Sequence, residues 1–209
     1  MLHPLTAFTA RARLAATRRL RALKSDESGI AAVEAAFVFP IMVVVMAMIV
    51  VFGQAFDIKR KVTQTTEQVT NLVALWPLAS GNMQQTDIDG YLDMAALTML
   101  PYSANGNTGN LSVVVTEYQA NAAATVGTAL WSEAQFSGVA RATNTTITLP
   151  AGLVAPNGYV ILGEVAWSYT PLNIGPFPLT TMSLHDSIFL SPRQHTCVAT
   201  WIYHPGTCT

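Results

Sequence analysis

The sequence predicts an α+β protein. A long N-terminal helix, membrane-spanning in its first half, leads into a C-terminal head built on an antiparallel β-sheet. Three observations carry this expectation. Ala35–Gly53 is a run of 19 residues without an ionisable group, close to the ~20 that a helix needs to cross a ~30 Å hydrocarbon core. Apolar residues then continue at helical spacing through Ile58, Val62, Val69, Leu72, Val73 and Trp76. Beyond Asn110 the pattern changes to short stretches rich in valine, isoleucine, threonine and aromatic residues, the signature of strands.

Residues 1–29 form a basic leader. Arg11, Arg13, Arg18, Arg19, Arg21 and Lys24 account for six of the eleven basic residues in the chain and precede the apolar run. Only Lys59, Arg60 and Lys61 follow it closely. The positive-inside rule therefore places the N-terminus in the cytoplasm and exports the residues after about position 57. As a helix the leader is basic and amphipathic, suited to an anionic leaflet. It also has the look of a mitochondrial targeting peptide, which the membrane run and the motif beginning at Gly29 argue against. A net charge of −1 offers no field for nucleic acid, and a membrane flank explains the basic residues without one.

Residues 30–76 read as one helix, with Pro40 the place for a kink. At 1.5 Å per residue it reaches about 70 Å, more than twice the membrane thickness. Its second half must therefore lie outside the bilayer and bury its apolar stripe against something. The apolar run exceeds the 7–15 residues of a secretory signal, and no small-residue exit follows Phe56. The segment is thus not removed from its far end.

Residues 77–209 make the head. Thr86 or Asp87 is expected to cap a short helix with Ile88, Tyr91, Leu92, Ala95 and Met99 on one face, ending at Pro101. Strands are expected at Leu111–Gln119, Thr125–Glu133, Tyr159–Thr170 and Met182–Leu190, with a short last one at Val198–Tyr203. Turn signals at Asn121–Ala124, Pro150–Gly158 and Pro171–Pro178 separate them. A meander of this kind forms an antiparallel sheet with one face on a helix, here the exported half of the long one.

The chain has two cysteines, Cys197 and Cys208. In an exported domain they meet an oxidising compartment and are expected to form a disulfide. The alternative is a zinc site with His195 and His204, although that spacing matches no common zinc pattern. No phosphate-cradling loop, nucleophile elbow or H-E-x-x-H motif occurs. His185 beside Asp186 lacks an accompanying serine motif and reads as a surface or interface histidine. Asp87, Asp89 and Asp93 lack the twelve-residue calcium pattern and read as acids near a helix start. Glu117 and Glu164, on separate strands, are expected to pair with Arg141 or Arg193. The chain therefore reads as a structural or binding protein, with no enzyme activity, metal or cofactor.

One residue is expensive. Glu34 lies in the apolar segment, where a carboxylate costs roughly 2.5–3.5 kcal/mol on insertion scales. A cut after Gly29 would make Ile30 the N-terminal residue and Glu34 the fifth. The new α-amino group would be positive at neutral pH, so the amine of one subunit and the carboxylate of another could neutralise each other.

The segments ESGIAAVEAAFVFP and FGQAFDIKRKV resemble those of the TadE-like minor pilins of tight-adherence pili, a family with a type IV prepilin-like N-terminus. Leu149–Gly152, Gly163–Pro171 and Leu190–Arg193 are similar to the family's head motifs, so that the likeness extends over most of residues 25–195. Ser28 stands where arginine is commoner, and Ala35 where phenylalanine follows the glutamate. The resemblance implies cleavage between Gly29 and Ile30 by a prepilin peptidase of the inner membrane. It implies assembly of residues 30–209 as a minor subunit with other minor pilins, the major pilin and the inner-membrane assembly platform. Glu34 would guide docking onto a neighbouring subunit, Pro40 would allow local melting, and the head would meet sister pilins or a surface. The alternative is a membrane-anchored extracytoplasmic binding or adhesion protein that never leaves the lipid.

Overall fold

The protein was analysed as a computed structural model that describes residues 28–76, 83–103, 109–171, 179–194, 196–198 and 200. Among the described residues two helices come first, α1 (Ser28–Ala74) and α2 (Gln85–Thr98). Five strands follow: β1 (Leu111–Ala120), β2 (Val126–Phe136), β3 (Thr146–Thr148), β4 (Tyr159–Tyr169) and β5 (Met182–Leu190). The chain divides into two compact units, Met1–Val50 and Val51–Thr209. Helix α1 contributes residues to both.

In the first unit the described residues are all helical and almost all exposed. α1 continues through Pro40, which has no N–H to give to the carbonyl one turn earlier.

The second unit is the α+β head. Its sheet is antiparallel throughout, in the order β3-β2-β1-β4-β5. β1 is the central strand and is buried on both faces, which explains its nearly continuous apolar run. One face carries Leu111, Val113, Val115, Trp131, Ile161, Val165 and Trp167. These pack with Ile58, Val62, Val69 and Val73 of α1, with Trp76 just after it, and with Ile88, Leu92 and Ala95 of α2 in one core. The expected cover of the sheet by the second half of the long helix is therefore present. On the other face Tyr118, Ala129, Val160 and Leu162 pack under Leu149 in a smaller cluster.

The helix stripe differs from its sequence expectation at its centre. Leu72 is only half-buried, whereas Thr65, Thr66 and Thr70 are fully buried. Two of these hydroxyls are satisfied within the helix, Thr66 donating to the Val62 carbonyl at 2.8 Å and Thr70 to the Thr66 carbonyl at 2.6 Å. Their small size lets the helix approach the sheet closely at Gly163, where a Cβ atom would lie 1.7 Å from Thr70 Oγ1. Glycine is needed there for space.

Three other local expectations are revised. The N-cap of α2 is Gln84 rather than Thr86 or Asp87. Asp87 instead sits three residues in, where its carboxylate accepts the Gln84 N–H at 3.0 Å and lies in the favourable first turn. The short strand β3 pairs with the start of β2; three residues are too few for an alternating pattern to register. Of the expected last strand, Val198–Tyr203, the described part forms only a parallel bridge from Thr200 to Met83. Its remainder lies outside the described residues, as do His195, His204 and Cys208.

A register shift in the β1–β2 ladder pairs Glu117 with Trp131 and Tyr118 with Ala129, leaving Leu130 as the extra residue. The bulge turns Leu130 and Trp131 toward the helices and Ala129 toward the other face.

Candidate functional site

The first unit is defined by what surrounds its side chains. Ile30, Val33, Phe37, Phe39, Ile41, Met42 and Met46 are all exposed, Phe37 to 73%. Consecutive residues on every side of the helix are open, so this is an apolar surface all round rather than an amphipathic stripe. The helix is long and apolar enough to cross a membrane. Glu34 is exposed within this surface, four residues and about one turn beyond Ile30. Gly29 is also exposed, and a Cβ added there would meet nothing within 4 Å. Glycine at the start of a helix without a steric demand costs stability relative to alanine. Among the described residues nothing makes use of its smallness.

Within the head, residues 51–63 of α1 are held by polar contacts from three directions. The Tyr169 hydroxyl lies 3.3 Å from the Val51 carbonyl and 3.2 Å from Gln54 Oε1. The Tyr102 hydroxyl donates to Asp57 Oδ2 at 2.7 Å. That hydrogen bond, with burial and the Asp57 charge, pushes the phenol up to about 12. Lys59 donates to the His185 carbonyl at 2.5 Å and pairs with Asp186 Oδ1 at 3.5 Å. A hydrogen bond from Thr63 lowers the Asp186 carboxyl and the Lys59 charge adds to it, against partial desolvation. Asp186 thus anchors the helix to β5. None of these tertiary partners was legible in the sequence, because each joins residues more than forty positions apart.

The expected pairing of strand glutamates with arginine holds for one of the two. Arg141 meets Glu164 in a salt bridge through Nη2, with Nε also donating at 3.2 Å. Both side chains are about one-third exposed. They line a groove of about 790 Å³ on the sheet face opposite the helices, together with Ser112, Ser137, His185 and Ser187. Among the described residues no hydrogen bond joins His185 to a hydroxyl there.

Glu117 does not pair with an arginine. It is fully buried because the bulge turns its neighbour Trp131 into the core. Its Oε2 accepts from Trp131 Nε1 at 2.6 Å and its Oε1 from the Val198 N–H at 2.7 Å. Trp131 Nε1 also reaches the Val198 carbonyl at 3.1 Å. Burial pushes this carboxyl up to about 8, although both donors act in the opposite direction. The cluster ties the C-terminal segment to the sheet, and no charge pattern in the sequence could have found it. Next to it, Cys197 is buried and disulfide-bonded; Cys208, the other cysteine of the chain, lies outside the described residues. Among the described residues no group of three or more histidine, cysteine, aspartate or glutamate side chains could hold a metal. Asp87 and Asp89 serve α2, Asp89 accepting from Gln85 Nε2 at 3.1 Å.

What distinguishes this chain is thus an exposed apolar segment of helix in one unit, with Gly29 near its start, and a firmly clamped head in the other. No curated protein and no solved structure matches the chain. One family model does, over the helix and not the sheet. From residue 29 to 70 the chain is similar to the model described as TadE-like protein.

Proposed function

We propose that the chain is a minor pilin of a tight-adherence type IV pilus, processed after Gly29 and acting in pilus initiation or in a tip complex that contacts surfaces. The observation that carries this reading is the helix segment that starts at Gly29. It exposes apolar side chains on all sides and holds a single carboxylate, Glu34, one turn from Ile30. A surface of that kind is satisfied by lipid before assembly and by neighbouring helices afterwards.

In this reading residues 1–29 are a leader that stays in the cytoplasm and is removed by a prepilin peptidase. Residues 30–76 are the assembling helix, spanning the inner membrane in their first half. Residues 77–209 belong to the periplasmic and then surface-exposed head, closed by a Cys197–Cys208 disulfide. The unneeded glycine at position 29 fits a peptidase that requires a small residue at the cut. Once Ile30 carries a free amine, Glu34 pairs with the amine of an adjacent subunit in a low-dielectric bundle, where an unpaired charge would be costly. Pro40 removes one helix hydrogen bond and lowers the cost of local melting on transfer from lipid to filament. The partners are other minor pilins, the major pilin and the inner-membrane platform.

The test is the N-terminal sequence of protein from pili or membranes. Ile30 as the first residue supports the reading, and Met1 overturns it. A membrane-anchored binding protein that stays in lipid shares the head but needs neither Gly29 nor Glu34. Gly29→Phe separates the two, because it blocks processing of a pilin and leaves an anchor functional.

A further inference from the structure

We propose that the outward stripe Phe52–Phe56–Arg60 of α1, with Lys61 beside it, docks on anionic phospholipid headgroups at the exported surface of the membrane. The proposal rests on the reading that the preceding apolar run spans a bilayer.

The stripe follows from helix geometry. Positions 52, 56 and 60 are spaced four apart and share a face. Val51, Ile58 and Val62 are buried against the head and occupy the opposite side. Phe52 is 56% and Phe56 74% exposed, so the head leaves two phenylalanines uncovered next to its own core. Of the three basic residues that follow, Lys59 is engaged by Asp186 and the His185 carbonyl. Arg60 and Lys61 have no ion-pair partner among the described residues. Asp57, the nearest acid in the sequence, accepts from Tyr102. Basic residues directly after a membrane run run against the positive-inside preference on the exported side, so these two ask for a local reason.

Continuity of the chain supplies the partner. The uncharged run ends at Phe56, just before Asp57, and α1 continues without interruption to Ala74. At 1.5 Å per residue, Phe52 lies about 6 Å before that end and Arg60 about 6 Å beyond it. The headgroup zone on each side of a ~30 Å core is about 5–7 Å deep. Phe52 and Phe56 therefore fall at the acyl–headgroup boundary, and Arg60 and Lys61 are long enough to reach back to phosphate. Tyr102 and Tyr169, whose hydroxyls bond to Asp57 and to Val51 or Gln54, lie at the same height along α1. Two unpaired cations select anionic over zwitterionic lipid.

The test uses the full chain reconstituted in phosphatidylcholine bilayers with trace spin-labelled phosphatidylglycerol or phosphatidylcholine. Relative association with the two probes is measured for the wild type and for Arg60→Gln/Lys61→Gln, and resistance to alkaline carbonate extraction is measured alongside. The preference for phosphatidylglycerol is expected to fall about two- to fivefold in the variant at low ionic strength, with extraction unchanged. Because both proteins keep the basic residues before Gly29, their difference isolates positions 60 and 61. An unchanged preference in a chain that resists extraction overturns the proposal and leaves the spanning reading standing. Extraction of the wild type by carbonate overturns both. Copy-to-copy cross-linking through Arg60→Cys, together with an unchanged lipid preference, assigns the stripe to a second subunit and overturns the lipid assignment.

Discussion

Gly163→Ala tests the closest contact in the head. The added Cβ would lie 1.7 Å from Thr70 Oγ1, 2.9 Å from Thr70 Cβ and 3.1 Å from Thr70 Cγ2. Rotating the threonine can move its hydroxyl, but the Cβ is fixed to the helix backbone, and non-bonded carbons sit comfortably at about 3.5–4.0 Å. The helix must therefore withdraw from β4, loosening the contacts of Val69 and Val73 with the sheet core. Overpacking of this kind typically costs about 1–3 kcal/mol, and with Thr70 back-bonded to its own helix we expect the upper half of that range. For a domain of this size each kcal/mol lowers Tm by roughly 2–4 °C. The assay is thermal unfolding of the full chain in detergent, followed through the fluorescence of the buried Trp76, Trp131 and Trp167. The second variant, Thr70→Ala, removes two of the three clashing atoms. The double variant should recover part of the loss, with a coupling of about 0.5–3 kcal/mol. A cost below about 0.5 kcal/mol for Gly163→Ala, or strict additivity in the pair, would refute the close approach.

Other consequences follow from the buried polar cluster and from the N-terminal segment. The Glu117 carboxyl titrates near 4.5 when unfolded and is raised to about 8 in the fold. The folded state thus holds a proton that the unfolded state has lost, and stability should fall between pH 4.5 and 8, by up to a few kcal/mol. Urea midpoints at pH 5 and pH 8 should converge in Glu117→Gln; parallel pH profiles for wild type and variant would sink the idea. Intact mass of protein from piliated cells should equal residues 30–209, and reduction should add two hydrogens if Cys197 pairs with Cys208. Glu34→Ala should still insert in the membrane but lower piliation severalfold, scored by electron microscopy, and normal piliation would remove the docking role.

Much of the architecture was legible because it depends on periodicity. An uninterrupted apolar run, a 3.6-residue repeat after it and alternating β-branched stretches each report a local environment, so α1, α2 and the four longer strands could be placed. The Gly29–Pro40 motif was equally readable, since its spacing lies within one helix. Less legible were features that depend on which surfaces meet. Thr65, Thr66 and Thr70 look polar in sequence, yet they are buried because Gly163 opens room for a close approach. Glu117 looks like a surface acid on a strand, yet a single extra residue at Leu130 brings Trp131 over it and the C-terminal segment onto it.

By itself, the sequence determined that a helix of membrane-crossing length leads into a mixed head, and that one carboxylate, Glu34, lies near the start of its apolar run. Both are one-dimensional properties, set by counting residues along a rigid repeat of 1.5 Å. Only the tertiary structure decided how the helix is gripped: Tyr102 on Asp57, Tyr169 on Val51 and Gln54, Lys59 on Asp186. It also decided which face of residues 52–61 is left bare. Those outcomes depend on side chains from distant strands arriving at one place, and no local pattern encodes the register and twist that bring them there.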